Sequence, residues 1–408
     1  MSIELHYGSQ GIVRLDVPTE RLLMDFSEPR PAATPDPVAA TLAALNDPLA
    51  FPPLSQAMVA GDRIAVTVAR GVPHAESVVA GVIRCLAEGG ASSEDISLII
   101  EPAAETPADS VTAAIPDELR RGLQISTHDP RNPKSLCYLA ASRDNKPIYF
   151  NRRVFDADLV VPIGTMRLDQ SFGYFGVHTG LFPAFSDDAT RSRLRIPSGG
   201  DREARRRRQR RETDEAAWLL GVQFTVQVVP GRRESLLGVF AGEAVSVERA
   251  GRTLCESTWR YESPHRASLV VAAIEGGPEQ QNWENFGRAL FAASECVAEG
   301  GTIVLCSDLQ GEIGPALKRL VTSDEGQDRL HKALRHERSD DAPLAMLLSQ
   351  VMQQAKVYLL SGLNEDEVED LGVGYIEREA DVQRLALRHD SCIIMGNAQH
   401  AMVTIPEN

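Results

Sequence analysis

The 408-residue sequence has no run of eighteen apolar residues, so no segment reads as a helix that crosses a bilayer. Its opening residues, MSIELHYGSQGIVRLDVP, lack the basic patch and apolar stretch of a signal peptide, and a cytoplasmic protein is expected. Six cysteines (Cys85, Cys137, Cys255, Cys296, Cys306, Cys392) are scattered with no CxxC spacing. In a chain of this size that pattern predicts reduced, mostly buried thiols, not a disulfide frame or a zinc site. No GxGxxG or GxxxxGK[ST] follows a strand-like run, which removes the usual dinucleotide and triphosphate signatures. Positive charge is also in deficit. Lys and Arg number 42 against 57 Asp and Glu, a formal charge of -15, so the average surface repels a polyphosphate and nucleic acid is not an expected partner.

What is present is the composition of a globular protein, 43% hydrophobic and 24% charged, in a chain long enough for two domains. DRIAVTVARG reads as a strand, ESVVAGVIRCLAEGG as a helix and DISLIIEP as the next strand. The order recurs late in the chain. There RASLVVAAIEGG is strand-like, NWENFGRALFAASECVAEGG helical and TIVLCSD strand-like, followed by helical APLAMLLSQVMQQA and the strand KVYLLSGL. Gly89–Gly90 and Gly300–Gly301 read as helix stops. Such alternation predicts two α/β domains with mainly parallel sheets and a cleft between them. The boundary is placed near Tyr261–Arg266, giving domains 1–262 and 263–408, with 391–408 expected to pack back on the first. Ligands of such sheets bind beyond the carboxyl ends of the strands.

Two stretches stand out. GTMRLDQSFGYFGVHTGLFP follows the strand-like FDADLVVPIG and carries Gly164, Gly173, Gly176 and Gly180, a loop suited to close backbone approach or to tight packing. A basic insertion over 191–212 contains the block Arg202–Arg211. It reads as a solvated helix face or a mobile insertion, or else as a docking patch for an acidic protein partner. Aromatic residues are missing from the block, which weakens a single-strand nucleic-acid reading.

Across nearly the whole chain the order of VARGVP, THDPRNPKSLCYLAASRDNKPIYFNRRVFDADLVVPIG, the glycine loop, VFAGEAV, NWENFGRALFAA and KVYLLSGL resembles the lactate racemase family. The resemblance implies an enzyme that moves a hydride off C2 of a 2-hydroxy acid onto a tethered nickel pincer nucleotide. It also implies two histidine bases, an arginine for the carboxylate, a lysine that anchors the nucleotide and a histidine that ligates nickel.

Residue by residue the pattern is only partly kept. Arg70 matches the carboxylate arginine, while Thr67 replaces the acid three residues earlier. No histidine falls near Ala103, and the Pro-His after the next strand corresponds to Leu168 and Asp169. The loop keeps Gly173, Gly176 and Pro183, but the anchoring lysine is Thr179 and the nickel-ligating histidine is Arg195. A substrate-binding glutamine and lysine become Asn285 and Arg288, one helical turn apart. His178 and His74 read as loop histidines, with His178 also considered as part of a rebuilt nickel site. A hydroxyl cannot replace the tethering amine, and a guanidinium has no lone pair for nickel. The sequence therefore reads as a divergent member, a pseudoenzyme, sensor or accessory protein. It is expected to bind a small 2-hydroxy acid or related carboxylate with no metal site and no cofactor. Two alternatives stay open. One is an active 2-hydroxyacid racemase or epimerase with Asp169 as base and an altered or untethered nickel pincer nucleotide. The other is an interaction protein acting through Arg202–Arg211.

Overall fold

A computed structural model describes residues 2–27, 36–103, 107–168, 176–195, 202–233, 235–322, 330, 332–334, 337 and 339–406. Two six-stranded sheets dominate. The first runs Leu236–Gly242, Thr225–Pro230, Leu159–Thr165, Ile64–Val68, Ile96–Ile100, Gln124–Thr127 across the sheet. Its strands are parallel except the edge strand Leu236–Gly242, which is antiparallel to its neighbour. The second runs Gly374–Ile376, Lys356–Leu360, Val297–Cys306, Ala267–Ala273, Cys392–Met395, Leu22–Phe26, all parallel. Central strands such as Ile64–Val68 are buried at every position, the mark of a parallel strand covered on both faces. Among the described residues no helix is long and apolar enough to cross a membrane.

Helices lie where the 3.6-residue period placed them. Ala75–Glu88 buries Val78, Val79, Val82, Ile83 and Leu86 against the first sheet, and Trp283–Ser294 buries Phe286, Ala289, Leu290 and Ala293 against the second. The first of these helices does end at Gly89, with Gly90 at a φ of 97°. The second stops earlier than the glycines suggested. Trp283–Ser294 is capped by Glu295, and Gly300–Gly301 lie inside the strand Val297–Cys306. That strand loses register between its pairings Ala267↔Val297 and Leu269↔Thr302, and Gly300, at a φ of 72°, accommodates the irregularity.

The partition along the chain also differs from a single cut at 262. The hairpin Ser2–Tyr7/Gly11–Asp16 packs its Leu5, Val13 and Leu15 against Leu269, Val271 and Val304 of the second sheet. Leu22–Phe26 is an edge strand of that sheet, paired with Cys392–Met395. Near the other end, Met402–Thr404 pairs in parallel with Arg260–Glu262. Local pattern cannot reveal such long-range pairing, since an edge strand looks alike whichever sheet it joins.

Both sheets reverse strand order at one point. In the first, the chain turns outward in opposite directions from Ile64–Val68 and Leu159–Thr165, and in the second from Ala267–Ala273 and Cys392–Met395. Crevices form beyond the carboxyl ends of strands at such reversals. In the second sheet the crevice is plugged by the protein itself. Glu275, only 2% exposed, takes Arg233 Nε at 2.8 Å and Arg232 Nε at 2.9 Å from the first half, and Asn397 Nδ2 at 2.8 Å. The crevice of the first sheet is open.

Candidate carboxylate site in the interdomain cleft

That open crevice is a cleft of about 520 Å³. Its floor is the loop after Ile64–Val68 and the segment after Leu159–Thr165, and its opposite wall is the first turn of helix Trp283–Ser294. Four guanidinium groups line it: Arg70, Arg167, Arg191 and Arg288. Arg70 stands just past the strand end and donates its backbone N–H to Glu101 Oε2 at 3.0 Å. Its side-chain Nε lies 3.8 Å from Glu101 Oε1 and 3.1 Å from Glu284 Oε2. Arg191 meets Glu101 at 3.3 Å, and both side chains are nearly sealed from solvent, 8% and 5% exposed. Arg288 pairs with Glu284 one turn back on its helix and donates to Asn285 Oδ1 at 2.8 Å. The result is a ladder of alternating charge, Arg191–Glu101–Arg70–Glu284–Arg288, that crosses from one half of the molecule to the other.

Charge is unevenly placed in this cleft. Its interior holds the four guanidiniums against Glu101, Glu284 and the half-buried Asp341, whereas Glu279, Glu312 and Asp340 are exposed at the rim. Rim carboxylates act through water and are screened, so the buried half dominates the field on a bound anion. Arg167 is held by donating Nη2 to Gly71 O at 2.7 Å.

The candidates singled out from the sequence divide clearly. Arg70, Asn285 and Arg288 meet in the cleft, with Asn285 buried at 3% exposure. Thr67 does not reach it. Its side chain is fully buried within the sheet, its hydroxyl has no hydrogen-bond partner, and it is not part of the cleft wall. Strand geometry explains this: the terminal strand residue Val68 reaches the crevice, while Thr67 one position earlier lies within the sheet. Gly176 and Thr179 line the cleft, but Thr179 is occupied in its own turn, donating Oγ1 to Gly176 O at 2.8 Å. Gly180 lets that turn press on the sheet, since a Cβ there would sit 3.1 Å from Ala69 Cβ and 3.3 Å from Gly164 Cα. His178 points away from the cleft. Burial holds its imidazole below the ordinary value and Arg210 adds to this, against the opposing pull of Asp214 and Glu248. His74 instead precedes helix Ala75–Glu88 and pairs with Glu76 at 3.5 Å. Asp169 and Gly173 lie outside the described residues. For Arg195, only the backbone at the end of helix Asp188–Arg195 is described.

The arginine block is helical, with Arg207, Arg208 and Arg211 on an exposed face, and it is packed to the protein along the opposite side. It forms helix Arg202–Leu220, in which Gln209, Thr213, Ala216 and Ala217 are buried at i, i+4, i+7 and i+8. Ala216 and Ala217 pack with Leu181, Phe182, Phe185 and Leu194. Gln209 Nε2 donates to Leu194 O at 2.7 Å, Arg193 pairs with Glu212, and Arg210 pairs with Glu248. The helix is thus the outer support of the glycine loop.

Sequence reasoning missed five residues. Glu101, Glu284, Arg167 and Arg191 build the cleft, and the only hint was an acid placed directly after a buried strand in SLIIEP. His400 is the fifth. It is 5% exposed with neither ring nitrogen partnered, and it walls a smaller cavity of about 100 Å³ behind Arg288. Burial holds it well below the ordinary histidine value, assisted by Arg167 and Arg288.

A nickel pincer nucleotide needs an amine for its tether and soft or neutral donors for the metal. Among the described residues lining the cleft there is no lysine, histidine or cysteine, and no three His, Cys, Asp or Glu side chains converge on a metal position. These residues do not fit that group.

Residues 7–192 match the lactate racemase N-terminal domain. The lactate racemase of Thermoanaerobacterium thermosaccharolyticum is 21% identical over 281 residues, which span 65% of this chain and 65% of that protein. The match therefore covers slightly less than two thirds of the curated relative. The structure of the lactate racemase apoprotein from the same organism superposes with a TM-score of 0.81 at 19% identity, over 99% of this chain and 100% of that one. A crystal structure of a Thermotoga maritima protein superposes at 0.66 with 14% identity, over 92% and 100% of the two chains. At such identities the superpositions speak for the fold. Taken together, the matches show that residues 7–192 are similar to the lactate racemase N-terminal domain and that the chain has the fold of the lactate racemase apoprotein.

Proposed function

We propose that this protein is a divergent member of the lactate racemase family that binds a small 2-hydroxy acid or related carboxylate in the cleft without a tethered nickel cofactor. One observation carries the reading: the cleft interior is lined by four guanidinium groups and, among the described residues, by no lysine, histidine or cysteine. Guanidinium is the side chain best matched to a carboxylate, which it grips through two parallel hydrogen bonds. Arg70 is the clamp, since it follows the strand end at the sheet's reversal point and already holds carboxylates of the protein itself. Arg191 and Arg288 keep the adjoining carboxylates in place, and Gly180 lets the loop roof the site closely.

Two measurements test this. A ligand that binds only the folded protein stabilises it by about 2.7 kcal/mol at a hundredfold excess over its Kd. Glycolate, lactate or a small sugar acid is expected to raise the melting temperature of the wild type and not of Arg70→Ala. Equal shifts in both proteins would remove Arg70 from the site. Separately, protein produced beside the cofactor-making enzymes is expected to carry no stoichiometric nickel and no nucleotide-sized mass increment. Either signal would restore the racemase reading.

A further inference from the structure

Glu284 stands where a ligand's carboxylate would sit. On its own helix it has an ordinary explanation: an acid in the first turn complements the helix dipole, and Arg288 is its i+4 partner. Neither role requires contact with the other half of the molecule. Yet Glu284 Oε2 reaches across the cleft to Arg70 Nε at 3.1 Å, while Oε1 stays on Arg288. Glu284 is 30% exposed and Arg70 29%, so this contact is neither sealed in the core nor fully solvated. The other carboxylate on Arg70, Glu101, is only 5% exposed, sits farther from Nε at 3.8 Å, and is fixed by Arg191 and by the Arg70 backbone N–H. Of the two, Glu284 is therefore the more readily displaced, because Arg288 keeps its charge compensated when it leaves Arg70.

We propose that Glu284 sets the affinity threshold of the cleft, as a tethered carboxylate that occupies Arg70 until a ligand carboxylate displaces it onto Arg288. The inference rests on the carboxylate-binding reading above and adds to it a built-in competitor. A side chain held next to its target competes at an effective concentration in the millimolar range or higher. A ligand that offers a carboxylate and nothing more gains little from the exchange. One that also hydrogen-bonds elsewhere in the cleft wins, so the tether raises the affinity needed by the same factor for every carboxylate. Each exchange also removes a tie between the two halves of the molecule.

The test uses glycolate and acetate as probes, titrated calorimetrically into wild type, Glu284→Gln and Glu279→Gln. The last variant removes the same charge from the exposed rim of the cleft. Glu284→Gln is expected to bind both acids at least tenfold more tightly than wild type, with the ratio of the two affinities unchanged because one tether competes equally with both. Glu279→Gln should behave as wild type. Equal affinities in wild type and Glu284→Gln would overturn the inference while leaving the cleft reading intact. An equal gain in Glu279→Gln would overturn it in favour of a general charge effect. If no protein binds either probe, Glu284→Gln included, the carboxylate reading itself fails and the inference with it. A ligand-free measurement stands apart from all of these. Amide hydrogen exchange over residues 283–288 should be faster in Glu284→Gln, and unchanged exchange would show that the contact with Arg70 ties nothing together.

Discussion

Arg191→Met is expected to lower the free energy of unfolding by about 3–5 kcal/mol, the usual result of stranding one member of a buried ion pair. Glu101 would keep the Arg70 backbone N–H at 3.0 Å and the Arg70 side chain at 3.8 Å but lose its guanidinium at 3.3 Å, in a position 5% exposed. The loss comes from the carboxylate left behind more than from the guanidinium removed. The double variant Arg191→Met/Glu101→Gln should therefore recover more than half of it, since a neutral amide is far easier to bury than an unpaired charge. Urea unfolding of the two variants beside wild type measures both effects. A single-variant loss under about 1 kcal/mol would place the pair among surface bridges and contradict its burial.

The plug of the second crevice gives the next largest effect. Glu275→Ala removes the acceptor for Arg232, Arg233 and Asn397, the last of which is fully buried. A cost of about 3 kcal/mol is expected, at the low end for a buried pair because Arg232 and Arg233 are 33% and 55% exposed and regain water. Burial pushes the Glu275 carboxyl upward, but the hydrogen bonds from Arg232, Arg233 and Asn397 outweigh it and hold it below the ordinary value. A carboxyl depressed in the folded state adds stability above its unfolded value, about 4.3, and that contribution fades as pH falls through the folded value. The difference between wild type and Glu275→Ala should be full at pH 7 and shrink below about pH 4.5. A gap that stays constant or widens toward pH 3 would be incompatible with the geometry.

Much of this was readable one segment at a time. A continuous apolar run such as IAVTV allows a strand buried on both faces, and the spacing in ESVVAGVIRCLAE allows a helix with one apolar stripe, because both patterns depend on neighbours within a few residues. Arg70 was legible for a similar reason, since a residue just past a buried parallel strand must enter the crevice. The packing of the helix that carries the block Arg202–Arg211 was not legible because its buried stripe, Gln209, Thr213, Ala216 and Ala217, is too polar and too small to register as apolar periodicity. The Gly300–Gly301 pair misled because a glycine stops a helix and eases an irregular strand by the same freedom of φ.

The sequence alone determined the alternation of strand and helix, the parallel class of the sheets and the arginine at the first strand's end, all of which follow from local sterics and hydrophobic spacing. Only the tertiary structure decided that the N-terminal hairpin and Leu22–Phe26 join the second sheet, that Arg232 and Arg233 plug one crevice and leave the other open, and that Glu101, Arg191 and Glu284 converge on Arg70. Ion pairs between residues 90 or 214 positions apart leave no periodic trace in a sequence, because either partner's charge can be satisfied by water until the fold removes it.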